Sequence, residues 1–103
     1  MFARVSRYHG EPGKVKEAFS TSHPPELDKA PGFLGVYSLV DEKGGKAITI
    51  TLWETEKAMH DSIELANRLR QEASDEAGGK EKPTYEMYEV VEVPEFAKEV
   101  GVR

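Results

Sequence analysis

The chain has 103 residues, the size of one domain, and no cysteine, which excludes disulfide bonds and thiolate chemistry. Its net charge of −5, from 19 acidic and 14 basic residues, argues against a nucleic-acid partner, which needs a basic face. The sequence has no run of about 18 apolar residues, so no membrane span is predicted. The first ten residues lack a signal-peptide pattern, and we therefore expect a cytoplasmic protein.

The first half of the chain predicts a strand, a helical region and a second strand. Alternating side chains over Phe2–His9 predict the first strand. Apolar residues on one side of Lys14–Ser22 predict a helix, which Pro24-Pro25 should end near Ser22 because proline lacks an amide proton. A short helical piece is expected over Pro25–Ala30, and the second strand over Phe33–Asp41.

The second strand is apolar on both faces, which is typical of a strand covered on both sides. Strict alternation places Phe33, Tyr37 and Leu39 on one face and Leu34, Val36 and Val40 on the other. Helices can cover one of these faces. So short a chain offers nothing for the other, and we therefore expect a second copy of the chain to cover it.

The second half predicts a strand, a long helix and a last strand. Ala47–Trp53 alternates and is rich in β-branched residues, as strands are. Thr55 is placed to cap a helix that runs to Ala77 and ends at Gly78-Gly79. The fourth strand is predicted over Thr84–Val93.

This β-α-β-β-α-β order defines an α+β, ferredoxin-like fold, a four-stranded antiparallel sheet with helices on one face. One domain is expected over residues 1–94, followed by a charged C-terminal tail over residues 95–103.

Several segments together resemble the antibiotic biosynthesis monooxygenase (ABM) superfamily, the dimeric α+β barrel proteins. The resemblance covers about residues 2–93. It rests on FARV at Phe2–Val5, PGFLGVYSLVD at Pro31–Asp41, TLWET at Thr51–Thr55, ANRLR at Ala66–Arg70 and YEVVEV at Tyr88–Val93. It implies a homodimer in which two four-stranded sheets pack together, and thus a cover for the second strand.

The activities in this superfamily include oxidation of polycyclic aromatic molecules by dioxygen without a cofactor, and haem degradation. The resemblance argues against haem degradation. Where that branch uses an asparagine, a tryptophan and a histidine, this chain has Arg7, Ser62 and Glu72. Cofactor-free oxygenases use an asparagine and a tryptophan between helices and sheet, and Asn67 and Trp53 are of these types. We therefore expect no cofactor.

The candidate catalytic residues are Asn67, Trp53 and His60. Asn67 could hold a phenolate or lie on the helix flank. Trp53 could be a pocket wall or a packing anchor. His60 and His9 could act as bases near neutral pH, and the three histidines lack metal-ligand spacing, so no metal site is predicted.

The predicted substrate-binding residues share the same elements: Arg7, His9, Tyr37, Met59 and Ile63. Arg4 and Arg7 point to opposite faces of the first strand, so one guanidinium should be covered. A covered arginine needs a carboxylate, such as Glu89 or Glu54, or an anionic ligand, and the structural ion pair is the favoured reading.

Two functions follow from these observations. One is a homodimeric, cofactor-independent monooxygenase acting on a small aromatic or quinone-like molecule. The other is a non-catalytic dimeric module that binds a small molecule or a partner, because no compelling set of acids, bases or metal ligands is present.

Overall fold

A four-stranded antiparallel sheet, covered on one face by helices, makes up the part of the chain that this computed structural model describes, residues 1–20 and 23–96. The elements in chain order are β1 (Phe2–His9), α1 (Val15–Ser20), α2 (Pro25–Asp28), β2 (Phe33–Asp41), β3 (Lys46–Trp53), α3 (Glu56–Asp61), α4 (Ile63–Glu76) and β4 (Thr84–Glu89). The strands lie in the order β2-β3-β1-β4. The predicted ferredoxin-like fold is confirmed.

Several element boundaries differ from the prediction. The last strand ends at Glu89 rather than at Val93, although Val90 N–H still donates to the Met1 carbonyl at 2.9 Å. Helix α2 starts at Pro25 as expected and ends two residues early. Ser22, the predicted end of the first helix, and Ala97–Arg103 of the predicted tail lie outside the described residues.

The long helix expected after Thr55 is interrupted at Ser62. Thr55 caps α3 as predicted, because its side-chain oxygen accepts from Ala58 N–H at 3.0 Å. Ser62 separates α3 from α4, and its hydroxyl donates to the Met59 carbonyl at 2.8 Å. A serine hydroxyl that bonds a nearby carbonyl competes with the helical ladder, which accounts for the interruption.

Strand β2 contains an irregularity that changes which side chains share a face. The register with β3 shifts between Phe33 and Gly35, so that Phe33 pairs with Trp53 and Gly35 with Leu52. The extra residue reverses the alternation beyond it. Phe33 therefore faces the helices and Tyr37 the opposite side, and the prediction that they share a face is wrong.

The core lies between the sheet and α2 and α3. Trp53 is fully buried and meets Phe33 edge-on, with ring centroids 5.5 Å apart. Leu27 and Met59 complete the buried cluster. The tryptophan at the end of β3 thus anchors the helices to the sheet.

The helix-free face of the sheet carries large apolar side chains. Val5 pairs with Ile50, and Ile50 with Tyr37, so these residues share that face. Leu39 remains 50% exposed and Tyr88 48% exposed. Part of the helix-free face, including Leu39 and Tyr88, is therefore exposed in the described part of the single chain.

Candidate functional site

A cavity of about 330 Å³ lies between the helix-covered face of the sheet and the helices. Its volume is at the lower end of the range of about 300–1,000 Å³ that is usual for small-molecule sites. The sheet forms a polar floor, consisting of Arg4, Ser6, Tyr8, Val36, Ser38, Thr49 and Thr51. The helices and the segment before α2 form a mostly apolar roof that includes Ala18, Phe19, Leu27, Ala66, Leu69 and Ala73.

Side-chain hydroxyls are concentrated on this floor. Tyr8 Oη and Thr49 Oγ1 lie 3.4 Å apart, and Trp53 Nε1–H donates to Thr51 Oγ1 at 3.0 Å. A sheet face covered by helices is ordinarily apolar, because burying a hydroxyl without a partner costs free energy. These hydroxyls are held in place by neighbouring side chains, and they give the cavity groups that can bond a polar ligand.

Arg4 projects from the centre of β1 and is only 2% exposed. Its Nη2 donates to the Met59 carbonyl and, at 3.2 Å, to Ser62 Oγ. Burial, and then the charge of Arg70, lower the pKa of Arg4 to about 10, which leaves it protonated at neutral pH. None of the ion pairs among the described residues includes Arg4, so the predicted pairing with Glu89 or Glu54 is wrong.

Arg70 reaches the same cavity from α4 and is 6% exposed. Its Nε donates to Ser6 Oγ at 3.1 Å and its Nη1 to Asn67 Oδ1 at 2.7 Å. Its guanidinium lies 4.2 Å from the centre of the Tyr85 ring, a cation–π contact. Burial lowers the pKa of Arg70. Helix and sheet thus each contribute one buried cation to the cavity.

His23 is the histidine that borders the cavity within the described residues. Its Nε2 lies 2.9 Å from Asp28 Oδ1, and its ring packs against Phe33 at a centroid distance of 5.5 Å. A carboxylate beside an imidazole orients the ring, and a neutral imidazole has one nitrogen that can accept a proton. The pair can therefore accept a proton from a ligand.

None of the three predicted catalytic residues lines the cavity. Trp53 lies beside the floor, at the end of β3 in the hydrophobic core, so the packing-anchor reading describes its position. Asn67 is exposed, and its Oδ1 accepts a hydrogen bond from the cavity residue Arg70. His60 is exposed on α3. The structure does not bring these side chains together.

The five predicted substrate-binding residues also lie outside the cavity. Arg7 and His9 are exposed on the helix-free side of β1, and Arg7 Nε is 3.5 Å from Glu86 Oε1. Tyr37 is on that side as well. Met59 is buried in the core, where its backbone carbonyl holds Arg4. Ile63 is half-buried at the start of α4.

Several cavity residues that the sequence analysis did not select follow a pattern that is visible in the sequence. Thr49 and Thr51 alternate with isoleucines on β3, and Ser6 and Tyr8 alternate on β1. In an antiparallel sheet, these positions fall on one face. Polar residues on the face that the helices cover could have indicated a ligand cavity. His23 gave no such signal, because its place depends on how the chain runs before α2.

No group of three histidine, aspartate or glutamate residues within residues 1–20 and 23–96 is placed to hold a metal ion. No helix in the same residues is long and apolar enough to cross a membrane.

Comparison with solved structures gives strong matches over nearly the whole chain. A monooxygenase from the gene ActVA-Orf6 of Streptomyces coelicolor, solved with nanaomycin D, has a TM-score of 0.69 at 18% identity, covering 90% of this chain and 91% of its own. Protein NE2512 of Nitrosomonas europaea, of unknown function, has a TM-score of 0.66 at 16% identity, with 90% and 91% coverage. SnoaB, a cofactor-independent oxygenase from Streptomyces nogalater, has a TM-score of 0.58 at 16% identity, with 89% and 94% coverage.

The chain therefore has the fold of the ABM superfamily, and the resemblance seen in the sequence is confirmed at the level of the fold. No family model matches the sequence. Among curated proteins, uncharacterized protein Rv2557 and uncharacterized protein MT2634, from two strains of Mycobacterium tuberculosis, are each 36% identical over 66 residues, which is 64% of this chain. The match spans only 29% of the length of either relative.

Proposed function

We propose that the chain is a cofactor-independent monooxygenase that binds a small aromatic or quinone-like molecule between sheet and helices. The observation that carries the proposal is the cavity itself, with its polar floor under an apolar roof. The similarity of fold to ActVA-Orf6 monooxygenase and to SnoaB supports this reaction class.

Oxygenation of an electron-rich aromatic substrate needs few catalytic groups from the protein. An anthrone that loses a proton from its ring CH₂ becomes a carbanion that can pass electrons to dioxygen. One oxygen atom becomes the new ring carbonyl, and the other leaves as water with the two CH₂ hydrogens. The substrate supplies all the electrons, and the protein has to accept a proton and stabilise negative charge.

His23 is our proposed proton acceptor, because it borders the cavity and is oriented by Asp28. Hydroxyls of the floor would hold the ring oxygens of the substrate. Asn67, predicted from the sequence as catalytic, would act as a positioning residue, since its amide oxygen accepts a hydrogen bond from Arg70. His60 and His9 lie elsewhere and serve as controls.

Oxygen uptake with a dihydroxyanthrone, measured in the presence of a chelator and after removal of free flavin, tests the proposal. We expect uptake above the autoxidation rate, with product mass one oxygen higher and two hydrogens lower. His23→Ala should reduce the rate by about 10²–10⁴-fold, the usual contribution of an acid–base group. His60→Ala, the matched control, should leave it unchanged.

Equal losses in His23→Ala and His60→Ala would remove His23 from the mechanism. Absence of uptake across hydroxylated anthracenes and naphthalenes would overturn the enzymatic function. If such compounds bind without turnover, the alternative, a non-catalytic binding module, is the correct one.

We also propose a homodimer formed through the helix-free face of the sheet. Exposed Tyr37 and Leu39, which are adjacent on that face of β2, support it, because contiguous exposed apolar surface commonly marks an interface. Sedimentation at micromolar concentration should give a dimer for the wild type and a monomer for Leu39→Glu. Gln71→Glu, the same charge change on the exposed side of α4, should remain dimeric, and a monomeric wild type would refute the proposal.

A further inference from the structure

Two buried arginines border the cavity, and neither has a carboxylate partner among the described residues. The ion pairs of that part of the chain involve other residues, such as the exposed Arg68 with Glu26. The acceptors around Arg4 and Arg70 are a backbone carbonyl, serine hydroxyls and a side-chain amide, all of them neutral. Two positive charges therefore lie in the cavity wall without compensation.

The hydrogen bonds of Arg4 are also incomplete. Its Nε is buried and has no partner within residues 1–20 and 23–96. Buried polar atoms are nearly always bonded, and a buried charge is nearly always paired, because each loses its hydration on folding. A purely structural role explains the bonds from Arg4 to Met59 and Ser62, which hold the junction of α3 and α4. It does not explain the free donor or the second cation.

The carboxylates nearest to the cavity do not remove this excess charge. Glu72 and Glu76 border it from α4, but both are exposed to solvent. Glu72 is directed to Arg68, with Oε1 and Nη1 3.6 Å apart. An anion between sheet and helix would instead be close to both buried guanidiniums, whose planar donor groups match the two oxygens of a carboxylate.

We propose that Arg4 and Arg70 form an anion-binding subsite, and that the ligand of this cavity is an aromatic acid whose carboxylate lies between them. The ring of the acid lies under the apolar roof formed by residues such as Phe19 and Leu69. This inference rests on the proposed function in one respect, namely that both place the ligand in the same cavity. It narrows the substrate class from small aromatic molecules to anionic ones.

Calorimetric titration with 1-naphthoate and with the neutral 1-naphthamide tests the subsite, because the two probes differ in charge and hardly in shape. We expect the wild type to bind naphthoate at least about tenfold more tightly than naphthamide, as a charged hydrogen bond allows. In Arg70→Met, the affinities for naphthoate and naphthamide should differ by no more than about threefold. Arg68→Met, an equal charge change two residues away on the exposed side of α4, should keep the preference.

Arg4→Gln provides a second variant in case Arg70→Met does not fold, which circular dichroism will show. It should also abolish the preference for naphthoate. Equal affinity of the wild type for both probes overturns the inference. So does an Arg68→Met variant that loses the preference as completely as Arg70→Met, or failure of both probes to bind at millimolar concentration.

The two proposals can fail separately. Charge-selective naphthoate binding without oxygen uptake on any hydroxylated aromatic refutes the monooxygenase and keeps the subsite. Oxygen uptake on a neutral dihydroxyanthrone, together with equal binding of naphthoate and naphthamide, refutes the subsite and keeps the monooxygenase.

Discussion

Replacing Trp53 with alanine tests whether this side chain is a core anchor or a wall of the substrate site. Trp53 has no exposed surface, packs edge-on against Phe33 and donates to Thr51. The Arg4 guanidinium lies 5.7 Å from its ring centre. Three strands of the sheet, β1, β2 and β3, therefore meet at this one side chain.

The expected cost follows from these contacts. Truncating a buried tryptophan to alanine typically costs about 3–5 kcal/mol, including the cavity left behind. The edge-on aromatic pair contributes about 0.5–1.5 kcal/mol of this, and the indole hydrogen bond about 1 kcal/mol. Trp53→Phe keeps a ring against Phe33 and should be clearly milder than Trp53→Ala.

Urea unfolding followed by far-ultraviolet circular dichroism measures these differences. All variants should be compared at one protein concentration, because a dimer makes the apparent stability depend on concentration. In thermal melts, each kcal/mol should lower Tm by about 4–8 °C for a domain of this size. His60→Ala, on the exposed surface of α3, should change the free energy of unfolding by less than about 0.5 kcal/mol.

One result would refute this reasoning. If Trp53→Ala unfolds within about 1 kcal/mol of the wild type and yet no longer binds naphthoate, Trp53 is a ligand contact, which is the other alternative that the sequence left open. A stability loss of the predicted size, with binding of naphthoate retained under native conditions, supports the anchor.

Three further predictions concern stability. Thr55→Ala removes the cap of α3 and should cost about 1 kcal/mol in urea unfolding. Gly45→Ala should lower the free energy of unfolding more than Gly13→Ala, although both glycines have a positive φ. A Cβ at residue 45 would lie 2.6 Å from a backbone oxygen, whereas a Cβ at residue 13 would have no atom within 4 Å. The hydrogen bond from Arg68 lowers the pKa of Glu26, so this pair stabilises the fold above the ordinary glutamate pKa and ceases to do so as pH falls through the lowered value. The stability difference between wild type and Arg68→Met, measured by unfolding at several pH values, should therefore shrink in acid.

The fold could be predicted from the sequence because its signals are local. The alternation in Phe2–His9, the cap at Thr55 and the glycines after Ala77 each specify a boundary without distant contacts. The break at Ser62 was missed, since a serine that bonds a carbonyl three residues back looks in sequence like any polar residue of a helix.

Only the polar floor of the site could be predicted from the sequence, because the rest depends on one inserted residue and on distant contacts. The irregularity between Phe33 and Gly35 turns Tyr37 away from the helices, and periodicity alone cannot show it. Arg4 and Arg70 are far apart in sequence, and each resembles an ordinary surface charge. Only the packing of α4 over β1 makes them neighbours in the cavity wall.

The central place of β1 has a consequence for how this chain acquires its structure. One edge of β1 pairs with β3 and the other with β4, and both of these strands come later in the sequence. During synthesis, the second edge of β1 therefore has no partner strand until β4 has been made. Until then its backbone N–H and C=O groups can pair with strands of other chains. A ribosome that pauses before residues 84–89 would expose this edge, and nascent chains released there should be prone to aggregation.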